Sequence, residues 1–474
     1  MKKVILFFCI FTALAAEASA GSATELTTTL SLQDALTRAL RDNPLVRIEQ
    51  IRTDIAQTIL REHQFAYEPN LWARYQTNVR PEHFGETNHV LTGITARAPT
   101  GTELEFAIEN AYYNNHFFTG GGTSASSRIR ITQALLQGFG LTANLVPIRR
   151  ARIDIDLRQE ELAGFTQRLL LDTERAYWNL LLSSEELKIF EHSFELANRL
   201  LFEAEARLQT GAIAPIDLAI IRAEVASREK QLFDAQTALK QRILTLGYII
   251  NAPELFNFPA IVISDTISLL GEADEIEDHL QAAKKFRPDF RQAELLAQRG
   301  ELDLIQTKNG ILPKLDFFIT LQGAEYNETF AVFPSDMART INMGLTLNFP
   351  LTSGQARQRH QRAIYSQEQQ NLSISNFSRL IEFEIRSAHL EVLRASQQVE
   401  TAKIVSALQQ QKMEAEAEKL RVGRSTGFAL LQAQRDLISA NLDEARAKAA
   451  YSDALLSLYF RDGTLLQRRG VRWE

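Results

Sequence analysis

Ile341-Asn342-Met343-Gly344-Leu345-Thr346-Leu347-Asn348-Phe349 is apolar at every odd position and polar or small at every even one. A period of two places Ile341, Met343, Leu345, Leu347 and Phe349 on one face of a strand and the intervening residues on the other. One face calls for apolar surroundings and the other for water. Upstream, Leu315, Phe317, Ile319 and Leu321 alternate with Asp316, Phe318, Thr320 and Gln322, which predicts the strand that precedes it.

The same plan occurs earlier in the chain. Asn43-Pro44-Leu45 opens a helical segment that closes at Tyr67-Glu68-Pro69-Asn70-Leu71, and Arg287-Pro288-Asp289 opens one that closes at Ile311-Leu312-Pro313-Lys314-Leu315. Pro44 to Pro288 and Pro69 to Pro313 are both offsets of 244 residues. Proline suits the first turn of a helix and opposes its interior, so these four positions mark helix boundaries. Alternation follows the first pair around Leu71, Ala73 and Tyr75. It recurs where Leu104, Phe106 and Ile108 interleave with Glu103, Glu105 and Glu109, and where Ile129 and Ile131 interleave with Arg128, Arg130 and Thr132. The strand exits Gln133-Ala134-Leu135-Leu136-Gln137-Gly138 and Phe349-Pro350-Leu351-Thr352-Ser353-Gly354 lie only 216 residues apart, Gly138 to Gly354. The first copy thus carries 28 extra residues among its strands. Turn residues at Pro99-Thr100-Gly101 and over Thr119 to Ser127 predict an added hairpin or an enlarged loop there.

Each copy then enters a helical tract of nearly seventy residues, Leu141 to Gln209 and Gln355 to Arg421, with Pro147 and Gly164 as interruptions. At 1.5 Å per residue each spans about 100 Å, the length of a coiled coil or a tunnel wall. Each tract ends in a glycine turn, Gln209-Thr210-Gly211-Ala212-Ile213-Ala214-Pro215-Ile216-Asp217-Leu218 and Arg421-Val422-Gly423-Arg424-Ser425-Thr426-Gly427-Phe428-Ala429-Leu430, followed by a second helix. Glycine suits the left-handed closing position of a helix, so each copy is expected to hold an antiparallel helical hairpin. Residues 21–250 read as the first repeat, with strands over about 70–133 and a tip at 210–217. Residues 251–271 read as a linker, 272–460 as the second repeat, with strands over about 314–350 and a tip at 422–428, and 461–474 as a short basic tail.

Lys2 and Lys3, the apolar run Val4 to Leu14 and the small residues Ala18-Ser19-Ala20 form an export signal, residues 1–20, cleaved after Ala20. Cys9 is the single cysteine and lies inside that signal, so the mature chain carries no thiol. The net charge of -6 is spread over interspersed acids and bases rather than a basic field, which argues against nucleic acid as a partner. No later stretch is apolar for eighteen residues, which excludes an ordinary transmembrane helix and leaves a barrel open. Catalysis finds no constellation. The histidines are dispersed, His83, His89 and His116 fall in expected loops, Gly120-Gly121-Gly122 lacks a strand-to-helix setting, and no nucleophile elbow or phosphate loop is present. No cofactor is expected.

Strand edges cannot face hydrocarbon, and four to six strands are too few for an ordinary barrel, so several chains must share one. The duplicated plan, the two strand exits and the glycine turns resemble the TolC-like outer-membrane efflux protein family over nearly the whole mature chain. Leu430-Leu431-Gln432-Ala433-Gln434-Arg435-Asp436-Leu437 resembles a stretch of its multidrug branch. The resemblance implies a mixed α and β fold with internal duplication. In it, an outer-membrane β-barrel is shared by a homotrimer, four strands from each chain, and continued by a long periplasmic α-helical barrel. It also implies docking to a periplasmic adaptor (membrane fusion) protein and an inner-membrane pump of RND or ABC type, contact with outer-membrane lipid in a Gram-negative type cell, and passive efflux or type I secretion.

By that resemblance the adaptor-docking tips comprise Thr210, Gly211, Pro215, Asp217, Val422, Gly423, Arg424 and Phe428. Asp217, Ala429 and Gln432 stand at the entrance constriction. Asp217 reads equally as a helix-start charge, and Ala429 and Gln432 depart from the acidic gate of some members. Arg207, Arg421 and Arg424 read as entrance groups or as solvated surface. Glu103, Glu105 and Glu109 share one strand face and are expected toward a pore or the exterior. Trp72, Tyr75, Tyr112, Tyr113, Phe117, Phe118, Phe317 and Phe333 are candidates for an interfacial belt or for strand packing, and Tyr177 and Trp178 for helix packing. The competing class is a non-conducting periplasmic coiled-coil spacer or adaptor protein, which explains the long helices but not the alternating strands.

Overall fold

The computed structural model describes residues 28–80, 85–115, 122–211, 213–259, 261–263, 265, 274–327, 338–350 and 352–471. The expected export signal and Cys9 lie outside the described residues, as do His83, His116, Phe117, Phe118, Gly120, Gly121 and Phe333.

The first half of the chain runs β1 (Thr28–Leu30), α1 (Leu32–Asp42), α2 (Pro44–Phe65), β2 (Asn70–Arg80), β3 (Gly85–Arg97), β4 (Thr102–Asn115), β5 (Gly122–Ala134), α3 (Leu141–Asn144), α4 (Val146–Gln209) and α5 (Pro215–Ile249). After β6 (Ile261–Ile263), the second half runs α6 (Ile276–Phe286), α7 (Pro288–Asn309), β7 (Lys314–Asn327), β8 (Ala338–Asn348), α8 (Gly354–Arg421), α9 (Gly427–Arg461) and α10 (Leu465–Arg468). Helix starts follow from local chemistry. Ser31 accepts a hydrogen bond from Asp34 N, Asn43 Oδ1 from Leu45 N at 2.9 Å, and Pro44 and Pro288 stand at first-turn positions where no donor is lost. Pro147 likewise opens α4, with a break from α3 at Leu145, whereas Gly164 does not interrupt that helix.

Six strands form one antiparallel sheet in the order β2-β3-β4-β5-β7-β8. Four strands per chain, implied by the family resemblance, is therefore corrected to six among the described residues. The 28 extra residues are not an appendage outside the sheet; they supply β3 and β4, inserted between the outgoing and returning strands of the first repeat.

The helices α4 and α8, 64 and 68 residues long, each extend about 100 Å. Each folds back on a 35-residue partner, α5 or α9. A core around Leu30, Ala39, Tyr177, Leu246 and Leu255 packs the first hairpin. One around Ala283, Ile385, Val392, Leu455 and Leu458 packs the second, and Leu36, Leu170, Leu171, Leu456 and Leu465 join the two. Tyr177 and Trp178 are packing residues, with rings 5.6 Å apart at 78°. Tyr177 also donates to Asp265 at 2.6 Å, and burial together with that carboxylate pushes the phenol far above its ordinary value.

Two segments are more ordered than sequence indicated. Inside the expected linker, β6 pairs in parallel with β1, Thr28 to Ile261 through Leu30 to Ile263. The tail returns to the core through the buried Leu465 and Leu466, and Arg469 ion-pairs with the fully buried Glu174.

Candidate channel wall and helical-hairpin tips

The strand register aligns the alternations of all six strands. One row across the sheet reads Leu71, Ile94, Phe106, Ile129, Leu321, Ile341, and the adjacent row reads Asn70, Thr95, Glu105, Arg130, Thr320, Asn342. Along these rows one face is apolar and the other polar from edge to edge, while farther from the helices the apolar face also carries Glu86, Asn88 and Asn110. On the apolar face Leu71 is 75% exposed, and Ile341, Met343, Leu345 and Leu347 each exceed 60%. An apolar surface of that extent on a lone chain is a surface meant for lipid.

Glu103, Glu105 and Glu109 all project from the polar face, and each has a partner there. Glu103 lies 3.8 Å from Arg97, Glu105 lies 3.7 Å from Arg128, and Glu109 lies 3.0 Å from His89. They sit within β4 as expected, whereas His89, expected in a loop, sits within β3, and the charge on this face is mixed. Two close approaches are also built here. Trp72 lies over Gly93 and Phe318 over Gly344, each the direct partner on the neighbouring strand, and a Cβ on either glycine would stand 2.7 or 2.9 Å from the ring. Trp72 is thus a packing residue of the polar face. Tyr75, Tyr112 and Phe317 lie on the apolar face, and Tyr113 lies on the polar one.

At the far end of the helices, Gly211 at φ +72° and Gly423 at φ +77° close α4 and α8 in the left-handed region. The first tip continues with Pro215 in the first turn of α5, and Asp217 accepts from Ala214 N at 3.2 Å. Asp217 is accordingly a helix-start charge, exposed at the tip. In the second tip Thr426 caps α9 by accepting from Ala429 N, while Arg424 N bonds Lys419 O at 2.8 Å. Ser425 donates to Glu416, which also pairs with Lys419, and these two contacts hold the Glu416 carboxyl below its ordinary value.

The two tips pack on each other through Ala204, Leu218, Ile221 and Leu431. A cleft of about 470 Å³ between them is lined by Arg207, Asp217, Gly423 and Phe428, among others. Of the residues singled out from sequence, Arg207, Asp217, Gly423 and Phe428 meet there, and Gly211 does not. Thr210, Pro215, Val422, Arg424, Ala429 and Gln432 do not line it, and Gln432 instead donates to Asp436 at 2.8 Å.

One constellation was missed. Arg435 of α9 reaches across to Glu224 of α5, and Glu224 also pairs with Arg228 at 2.6 Å. Burial alone would raise the Glu224 carboxyl, but Arg435 and Arg228 overturn that and hold it below its ordinary value. Arg435 stands in the quoted Leu430 to Leu437 stretch, yet its partner is 211 residues away and nothing local announces it.

Among the described residues no helix is long and apolar enough to cross a membrane, and no cluster of three or more His, Cys, Asp or Glu residues could hold a metal ion. The sequence profile of the family described as outer membrane efflux protein matches residues 100–252 and 279–464. No curated protein matches. Among solved structures, the CmeC outer membrane channel of Campylobacter jejuni aligns with a TM-score of 0.68 at 15% identity, covering 91% of this chain and 85% of that one. The outer membrane protein VceC of Vibrio cholerae aligns at 0.67 and 13%, covering 91% and 96%. The open state of the Neisseria gonorrhoeae MtrE outer membrane channel aligns at 0.66 and 14%, covering 91% and 88%. With more than half of its length matched by one profile and the same fold over 91% of it, the chain belongs to the outer membrane efflux protein family and is an outer-membrane channel subunit.

Proposed function

We propose that three copies of this chain share one barrel and align their hairpins into a periplasmic tunnel. The assembly then carries cargo passively from a pump and its adaptor to the exterior. The observation that carries this reading is the six-stranded sheet, amphipathic from edge to edge, mounted on helices about 100 Å long. Edges of such a sheet need closure in hydrocarbon, and long hairpins side by side need neighbours for their exposed apolar residues, such as Leu390, Leu393, Ile404 and Leu408. A periplasmic spacer has no use for the lipid-facing surface.

The paired tips form the entrance. Thr210, Gly211, Pro215, Asp217, Val422, Gly423, Arg424 and Phe428 are the surface offered to a periplasmic adaptor, and the pump behind it, of RND or ABC type, supplies the energy. Asp217 and Gln432 are exposed at this end and Ala429 is half-buried, so of these three only Asp217 brings a carboxylate to the entrance. Glu103, Glu105 and Glu109, facing Arg97, Arg128 and His89, line the wall of the pore.

The test is native mass of the purified mature protein combined with conductance in planar bilayers. A trimer giving discrete conductance steps is the expected result. A monomeric rod that does not insert would overturn the reading.

A further inference from the structure

We propose that the β3–β4 hairpin is membrane-embedded wall, so that the closed barrel of the trimer has eighteen strands and β8 of each copy pairs with β2 of the next. The inference rests on the trimer of the preceding section and adds to it the size of the pore and the register of the subunit seam.

Three observations place the hairpin in the wall. Its ladders are unbroken, from Asn70 paired with Thr95 to Arg80 paired with Gly85 on one side, and from Thr102 paired with Gln133 to Tyr113 paired with Gly122 on the other. Its apolar residues continue the lipid-facing surface in the rows nearest the helices, where Ile94 and Phe106 stand in line between Leu71 and Ile129, and Ala96 and Leu104 beside Ile131. Its turn is also fastened to α3 and to the end of β5. Gly140 N donates to Thr100 O at 3.0 Å, Asn144 Nδ2 to Pro99 O at 3.0 Å, and Ala134 N to Gly101 O at 3.0 Å. A flap lying outside the barrel would need neither the apolar face nor the anchored turn.

The seam follows from the duplication. β2 is the counterpart of β7 at the offset of 244, and β5 that of β8 at the offset of 216. Within the chain, β5 hands over to β7 with Ile131 opposite Ile319 and Arg130 opposite Thr320. Carrying both offsets across, β8 meets the next copy's β2 with Leu347 opposite Tyr75 and Thr346 opposite Gln76. Six antiparallel strands leave β2 and β8 running in opposite directions, as this pairing requires. Each is 11 residues long. In this register the lipid-facing pairs are Leu347 with Tyr75, Leu345 with Thr77 and Met343 with Val79, and a slip of one residue would set Leu347 against the polar face. The occupant of both free edges is therefore a second copy of this chain.

With strands about 4.8 Å apart and tilted by about 40°, eighteen strands give a barrel ~36 Å across the backbone, against ~24 Å for twelve. A barrel of that size encloses an aqueous channel, and its lumen is lined here by the Arg and Glu residues of the polar face. Selection by size then falls to the helical tips and not to the barrel.

The mature chain has no cysteine, so engineered thiols report cleanly. Thr346→Cys combined with Gln76→Cys is expected to give disulfide-linked dimers and trimers on oxidation, whereas Thr346→Cys with Arg80→Cys, four residues out of register, is expected to remain monomeric on a denaturing gel. In liposomes, nitroxides on Ile94→Cys and Leu104→Cys should meet oxygen in lipid, and those on Thr95→Cys and Glu105→Cys should meet a water-soluble nickel chelate. Water access at all four positions in an intact trimer, or cross-linking confined to the shifted pair, would overturn the proposal while leaving the channel standing. A monomeric native mass would remove the trimer on which it rests.

Discussion

Replacing Glu224 by glutamine should unlatch the tips far more than replacing Arg435 by alanine, although both remove the same ion pair. Glu224 is 5% exposed and is held between Arg228, 8% exposed, and Arg435, which is 48% exposed. Glu224→Gln keeps the shape but leaves a buried guanidinium facing a neutral amide. Removing one partner of a buried pair costs about 3–5 kcal/mol, which falls to about 2–3 kcal/mol here because water screens Arg435. Arg435→Ala leaves Glu224 paired with Arg228 at 2.6 Å and costs about 1 kcal/mol. Since 1.4 kcal/mol is a factor of ten, the balance between packed and parted hairpins should shift about 30- to 150-fold for Glu224→Gln and about fivefold for Arg435→Ala. Open probability of single channels in planar bilayers reads both, and the double variant should fall short of the sum because the residues touch. Equal effects, or none from either variant, would refute the latch.

The same carboxylate predicts an acid response. Because its folded value is depressed, the latch is complete above the ordinary carboxylate value of 4.5 and is lost as pH falls through the folded value; opening should rise only in that acid range, and Glu224→Gln should lack this component. Gly423→Ala should destabilise by about 1 kcal/mol through φ +77° alone, since its Cβ meets no described atom within 4 Å, while Gly427→Ala, without that φ, should be neutral or better in thermal melts. Gly344→Ala should drive a Cβ into the Phe318 ring at 2.9 Å and cost about 1–3 kcal/mol, read as a lower temperature for loss of β circular dichroism. His279→Ala should strand the buried Asp462, its partner at 2.6 Å, and lower helix melting by the equivalent of about 1–3 kcal/mol; an unchanged melt would show that Thr464, which also bonds Asp462, suffices.

The strands were legible where period and burial agree. Ile341 to Phe349 alternates because one face meets lipid and the other water, and the register carries that division across all six strands in the rows nearest the helices. The mismatch between the offsets of 244 and 216 announced an insertion, but only pairing could reveal that it joins the sheet, because an outer hairpin would obey the same turn chemistry. The three-residue β1 and β6 were illegible, since three residues carry no period. The tips were legible as turns because glycine at positive φ is a local demand. The Glu224–Arg435 contact was not, because it depends on two helices from different repeats lying side by side. Likewise Glu103, Glu105 and Glu109 were readable as polar, but their partners Arg97, Arg128 and His89 come from neighbouring strands.

The insertion of β3 and β4 also bears on how such walls can change over evolutionary time. α2 delivers the chain to one rim and α3 must receive it at that same rim, so a lone extra strand would leave the following helices on the wrong side of the bilayer. Parity therefore admits only whole out-and-back excursions. In a threefold assembly the circumference grows in steps of six strands, while the helical stalk beneath keeps its own number, and the two halves of the conduit are free to differ in calibre.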